Sequence, residues 1–209
     1  MQPRKKLLAT SLVVLALAGF SGAQAATWEI DPQHSAAHFS VRHLLVSNVR
    51  GTFSKVSGAV VIDDRNITHS SVEATIDASS IDTHEPKRDA HLKSADFLDV
   101  ANHPTITFKS KKVEKAGKGK LRVIGDLTIR GVTRQVVLDV EGPTAAITDP
   151  RGTLKRGATA TVKINRFDYG VAWNKALETG GLVAGEEVAI TLDLEIGRKP
   201  EAKPAAGGQ

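Results

Sequence analysis

Seven histidines, at positions 34, 38, 43, 69, 84, 91 and 103, are the residues of this chain best suited to metal or acid–base chemistry. His34 and His38 are an even number of residues apart and would share one face of a strand. His43 is an odd number from both and would face the other way. The chain has no cysteine and no HExxH pattern, and no histidine pair has a carboxylate at a spacing that closes a metal site. Nor is there a GxSxG elbow, and the run from Gly117 to Lys120 lacks the length and the following Ser or Thr of a phosphate-cradling loop. Arg88-Asp89 with Asp96, and Arg166 with Asp168, could form paired ionic sites, for which the ordinary expectation is surface or lid-fixing salt bridges. The sequence therefore nominates no catalytic residue, no metal ligand and no cofactor. The chemistry left to it is binding.

The elements that would position a binding site are strands. Val188, Ile190, Leu192, Leu194 and Ile196 alternate with Ala189, Thr191, Asp193 and Glu195, one face oily and the other wet. Leu121 to Ile129 repeats the pattern, and after the Arg130-Gly131 turn signal Val136, Leu138 and Val140 do so again, which reads as a hairpin. Val56 to Ile62, Val72 to Ala78 and Ala158 to Ile164 are further strands. Trp28 to Ile30 and His38 to Val41 precede them. The count is about eight or nine antiparallel strands, and closure into a barrel is expected because it removes exposed edges. Between the strands ending near Ala78 and beginning near Ile106 lies a polar, charge-dense insert. Pro86 stands where a first helical turn would begin and a second apolar pair, Phe97-Leu98, follows, so two short helical turns are expected, forming a lid at one end of the barrel.

Small residues recur on the apolar strand faces: Ala37, Gly58, Ala74, Ala78, Gly125, Ala158 and Ala160. They could fit the taper of a packed core, or leave room for a ligand cavity. The chain has only six Phe, two Trp and one Tyr. Core is the default for any one of them, while Phe97 and Trp173, on connecting segments, suit a mouth or lid.

Composition limits the partners. Arg4, Lys5 and Lys6, the apolar run Leu7 to Phe20 and the small-x-small triplet Ala23-Gln24-Ala25 read as a cleavable secretory signal over residues 1–25. The run is shorter than the roughly 20 residues a membrane span needs, so no stable membrane insertion is expected after cleavage. The compartment would be periplasmic, or extracellular in a host without an outer membrane. Removing the leader cations from 28 Lys+Arg against 23 Asp+Glu leaves 25 against 23. With so little basic excess, nucleic acid is not an expected partner. The 184 residues that remain are enough for one domain, over 26–198, burying roughly 70% of its unfolded-chain surface without disulfides. Residues 199–209 are Pro-, Ala- and Gly-rich and read as a disordered tail.

Four segments in order carry a resemblance: His34-Ser35 followed by FSVRHLLVSNVRGTF at Phe39 to Phe53, the insert SSIDT…RDAHLKSADFLDV, GDLTIRGVTRQVVLDVE at Gly125 to Glu141, and INRFDYGVAWN at Ile164 to Asn174. Together the chain resembles the YceI-like family of lipocalin-like, polyisoprenoid-binding barrel proteins. The resemblance implies an all-β fold, a closed antiparallel barrel of about eight strands with a short helical insert, whose apolar interior holds a long isoprenoid, quinone-like or fatty chain. Phe39, Val41, Phe53, Phe97, Phe108, Ala158, Ala160, Phe167 and Trp173 are then the candidate cavity or lid residues. Arg42, His43, Arg88 and Asp168 are the candidates for the ligand's polar head. A ligand-free structural or interaction module of the cell envelope is the alternative. A homodimer in which a second copy covers the mouth is also open.

Overall fold

The computed structural model describes residues 25–176 and 183–199. Apart from Ala25 and Lys199, the leader and tail readings lie outside the described residues. The chain runs through β1 (Ala26–Ile30), β2 (Ala36–His43), β3 (Ser47–Phe53), β4 (Val56–Ile62), β5 (Ser71–Asp77), β6 (Ile81–Asp82), α1 (Pro86–Lys93), β7 (Thr105–Lys115), β8 (Lys120–Ile129), β9 (Val132–Glu141), β10 (Ile147–Thr148), β11 (Leu154–Asn165) and β12 (Ala184–Arg198). Neighbours in sequence pair antiparallel from β4 through β5, β7, β8, β9 and β11 to β12. The long last strand then closes the ring on β1, with Ile30 opposite Ile196, and on β2, with Ala37 opposite Leu192.

The described chain has more strand segments than expected but eight barrel positions. Three positions are each built from two short segments. β2 pairs with β3 where β1 pairs with β4, and β3 pairs with β6 where β4 pairs with β5. The bends fall at Asp31–Ser35, at Ser54-Lys55 and at the 3₁₀ turn Ala78–Ser80, whose N-cap Asp77 accepts from the Ser79 amide. Bending lets the strands wrap around the interior without losing the inward face.

That inward face is apolar throughout. Trp28, Ile30, Val56 and Ile62 are buried. Around them, Phe39, Val60, Val72, Val162, Ile190, Leu192 and Leu194 pack against the core yet remain only partly covered. Side chains that point into a barrel and still keep accessible surface are facing open space, because a solid interior at crystal-like density would cover them.

The small residues divide between two roles. A Cβ at Gly125 would meet the Phe108 ring at 2.5 Å, and one at Gly51 would meet the Phe39 ring at 2.5 Å, so both glycines seat an aromatic ring from the neighbouring strand. Gly58 sits at φ +135 with the Glu73 carbonyl 2.1 Å from where a Cβ would stand, which restricts it to glycine. Of the seven small residues picked out from the strand faces, Ala37, Ala74, Ala158 and Ala160 border the interior space. The cavity reading of the small residues holds for these alanines and fails for Gly58, Gly125 and Ala78.

The insert forms one helix rather than two helical turns. Pro86 is at its start, and the Glu85 carboxylate caps it by accepting from the Arg88 amide at 2.6 Å. Phe97-Leu98 lies instead on a tight turn, in which the Phe97 and Asp99 amides both donate to the Ser94 carbonyl. The left-handed backbone at Asp99, φ 48, ends it. Among the described residues no helix is long and apolar enough to cross a membrane.

Candidate functional site

A cavity of about 630 Å³ runs through the barrel, within the roughly 300–1,000 Å³ usual for small-molecule sites. Its wall is made by inward positions of strands all around the barrel, including Phe39, Val41, Phe53, Phe108, Ala158 and Ala160. Phe39 and Phe53, on adjacent strands, stack with centroids 5.7 Å apart. Of the nine residues put forward for the cavity or lid, eight border it and Phe167 does not.

The lid is an aromatic cluster from two loops. Phe97 and Trp173 meet at 5.1 Å, and His91, in the last turn of α1, sits edge-on to each ring at 4.9 Å. All three border the cavity. The outer side of His91 is fixed by the Asp96 carboxylate at 2.8 Å, so Asp96 positions the lid and does not pair with Arg88. Arg130, at the tip of the β8–β9 hairpin, ties the same two loops together by donating to the Gly170 and Ala95 carbonyls.

Polar groups gather where the lid meets the strands. Arg42, His43 and Arg88 all border the cavity there. Arg88 donates from Nε to the Thr83 hydroxyl at 2.7 Å and from Nη2 to the Thr83 carbonyl at 2.8 Å, while Asp89 accepts from the Thr83 amide at 2.9 Å. The expected Arg88–Asp89 ion pair is therefore replaced by a shared buried threonine. Arg42 donates to the Leu45 carbonyl at 2.9 Å.

Asp168 and Phe167 are corrections. Residues Arg166–Tyr169 form a 3₁₀ turn, whose period of three places Arg166 and Tyr169 on one face. Those two point inward and are buried, at 5% and 2% exposure, and both border the cavity. Phe167 instead lies against the Arg166 guanidinium, 4.5 Å from its centroid, and Asp168 is exposed. The expected Arg166–Asp168 pairing does not form, because neighbouring positions of a 3₁₀ turn point in different directions.

Arg166 satisfies its charge with backbone alone. It donates to the carbonyls of Gly185 at 2.8 Å, Val171 at 2.6 Å, Trp173 at 2.9 Å and Ala184 at 3.1 Å, pinning the lid loop to the start of β12. Burial lowers its pKa from the ordinary value. The Tyr169 hydroxyl is buried without a hydrogen-bond partner among the described residues, and burial pushes its pKa up to about 12.

Away from the cavity, Asp31, His34 and Glu195 bring three potential metal donors together. The spacing of these residues in sequence gave no hint of it. The Lys155 ammonium already lies 2.6 Å from Asp31 and 2.9 Å from Glu195, so the carboxylates are satisfied by a resident cation. Its hydrogen bond holds the Asp31 carboxyl well below the usual carboxylate range, and the two carboxylates raise the lysine's pKa.

An up-and-down β-barrel with a lidded, apolar interior defines a lipocalin-like class of protein. A family model described as YceI-like domain matches residues 28–196, and the chain belongs to that family. A UPF0312 protein of Vibrio parahaemolyticus is 38% identical over 195 residues, covering 92% of this chain and 97% of the relative. The structure of a YceI protein of Campylobacter jejuni superposes with a TM-score of 0.64 at 30% identity, covering 76% of this chain and 90% of the other. A polyisoprenoid-binding domain from Saccharophagus degradans matches with a TM-score of 0.59 at 17% identity, covering 85% of this chain and all of that one. The last likeness is one of fold.

Proposed function

We propose that the barrel binds one long apolar chain, an isoprenoid, quinone-like or fatty lipid, with its polar head at the mouth beside Arg42, His43 and Arg88. The observation that carries this reading is the interior. Apolar side chains such as Ile190, Leu192 and Leu194 stay partly uncovered around about 630 Å³ of space, while cationic side chains border only the lid end. The polyisoprenoid-binding domain of matching fold supports the same ligand class. Each buried methylene contributes about 0.8 kcal/mol, so a chain of about fifteen carbons could supply on the order of 10 kcal/mol before association and ordering costs. A head-group arginine adds roughly 1.5 to 3 kcal/mol if the head is anionic. The basic start, apolar run and small-x-small triplet within residues 1–25 support export, to the periplasm or, in a host without an outer membrane, to the exterior.

The test is a titration of fluorescent parinaric acid against three proteins. Ala158→Phe, which fills the wall with a ring, is expected to weaken binding at least tenfold, and Arg42→Ala by only a few-fold. Equal affinity in all three proteins would contradict a filled barrel and favour a ligand-free module of the cell envelope.

A further inference from the structure

The β2–β3 hairpin ends beside the cavity mouth in three consecutive aliphatic side chains that stay exposed among the described residues. Leu44, Leu45 and Val46 are 38%, 62% and 74% exposed. The other exposed large apolar residues among those described, Val137 and Ile147, stand singly on different strands. Scattered exposure of that sort is ordinary, whereas a contiguous tip is a contact surface.

The backbone accentuates the tip. Leu44 and Leu45 both have left-handed φ, 51 and 62, and the Val46 amide closes the turn on the His43 carbonyl at 3.0 Å. This is the type I′ geometry that favours Asn-Gly. The β8–β9 hairpin adopts similar angles at Arg130 and Gly131, φ 49 and 72, with glycine in the second position. At the β2–β3 tip the glycine position is filled by an exposed leucine.

We infer that this tip docks the barrel mouth on a phospholipid bilayer, the leucines and Val46 entering the acyl region and Arg42 and Arg50 meeting phosphates. Arg50 alternates with the inward residues of the hairpin and so faces outward, while Arg42 stands at the rim, where it borders the cavity, and both are exposed. Among the described residues neither has a carboxylate within ion-pair distance, whereas the barrel-wall lysines at 55, 109, 111, 112, 120 and 163 each do. Three aliphatic residues without an aromatic anchor are too small for a stable protein interface, but aliphatic residues flanked by cations suit a lipid interface. Val41, His43 and Val49, at the base of the same hairpin, border the cavity, so a docked tip brings the cavity mouth to the membrane. The purpose of docking depends on the function proposed above, while docking itself can be measured without it.

The experiment floats residues 26–209, which keep every strand of the barrel, with phosphatidylcholine vesicles with and without phosphatidylglycerol. The double substitution L44N/L45G is expected to lower partitioning at least tenfold. Its thermal midpoint should stay level or rise, because Asn-Gly suits the turn, and its parinaric acid affinity should be unchanged. R50Q is expected to lose about fivefold on the anionic vesicles alone. Equal flotation of wild type and L44N/L45G, or no flotation of either, would overturn the inference. So would a wild-type dimer that the double substitution dissociates while neither protein floats, since the tip would then bind a second copy. Tip-dependent flotation by a protein that takes up no parinaric acid would uphold the docking and sink the lipid-carrier reading instead.

Discussion

The two ends of the barrel solve opposite problems with the same residue types. At the end where β1 begins, Trp28 is 1% exposed, and the guanidiniums of Arg156 and Arg198 lie over its ring at 4.9 and 5.1 Å. Arg156 is neutralised by a bidentate pair with Asp64 at 2.8 and 2.9 Å. At the lid end Arg166 is buried too, but it is held by backbone carbonyls from two segments and has no carboxylate partner at ion-pair distance among the described residues. One end uses arginines to seal a wall, and the other uses an arginine to shape an opening. Stability and binding should therefore separate along the barrel axis.

The largest effect is expected at the sealed end. Trp28→Ala removes a fully buried indole and the platform for two cations, and should cost about 4 kcal/mol of unfolding free energy by denaturant titration. A loss under 1 kcal/mol would mean that this end is not where the fold is anchored.

Asp31→Asn acts on the outer face of the same end. The Lys155 hydrogen bond depresses the Asp31 pKa in the folded state. The stability it adds is therefore present above the unfolded value of 3.8 and fades as the pH falls through the lower folded value. The variant should lose about 1 to 2 kcal/mol at neutral pH and less in acid, with parinaric acid affinity unchanged. An equal loss at pH 7 and pH 2 would dissociate the cluster from acid sensitivity.

The smallest effect is expected at the lid. Tyr169→Phe deletes a buried hydroxyl that has no partner among the described residues, so stability at neutral pH should hold or rise by up to about 1 kcal/mol. The folded hydroxyl titrates at about 12 against an ordinary 10.0. Wild type should accordingly lose stability as the pH rises from 10 to 12, and the variant should lack that component. A clear drop in the variant at neutral pH would show that the hydroxyl is hydrogen-bonded after all.

Most strands could be read from sequence because a barrel with one wet and one oily face writes a period of two. Val188 to Ile196 and Leu121 to Ile129 carry it without interruption. The wall of the site followed from the same alternation, and Ala158 and Ala160 border the cavity as expected. What escaped was set by contacts remote in sequence. The Lys155–Asp31 pair spans 124 positions, and Arg156 breaks the apolar pattern of β11 because its cover, Trp28, comes from β1. Tyr169 was missed, and Arg166 was read only as a partner for Asp168, for a local reason, since a single 3₁₀ turn is too short to show its period. The bends that divide three barrel positions into six segments depend on closure, which no window of sequence contains.

Native mass spectrometry of the protein purified from its own host, followed by organic extraction of whatever it carries, tests the central claim most directly. The barrel reading predicts one long-chain lipid per protein, displaced in the Ala158→Phe variant. A clean apo mass that persists after incubation with polyprenyl, quinone and fatty lipids would contradict it.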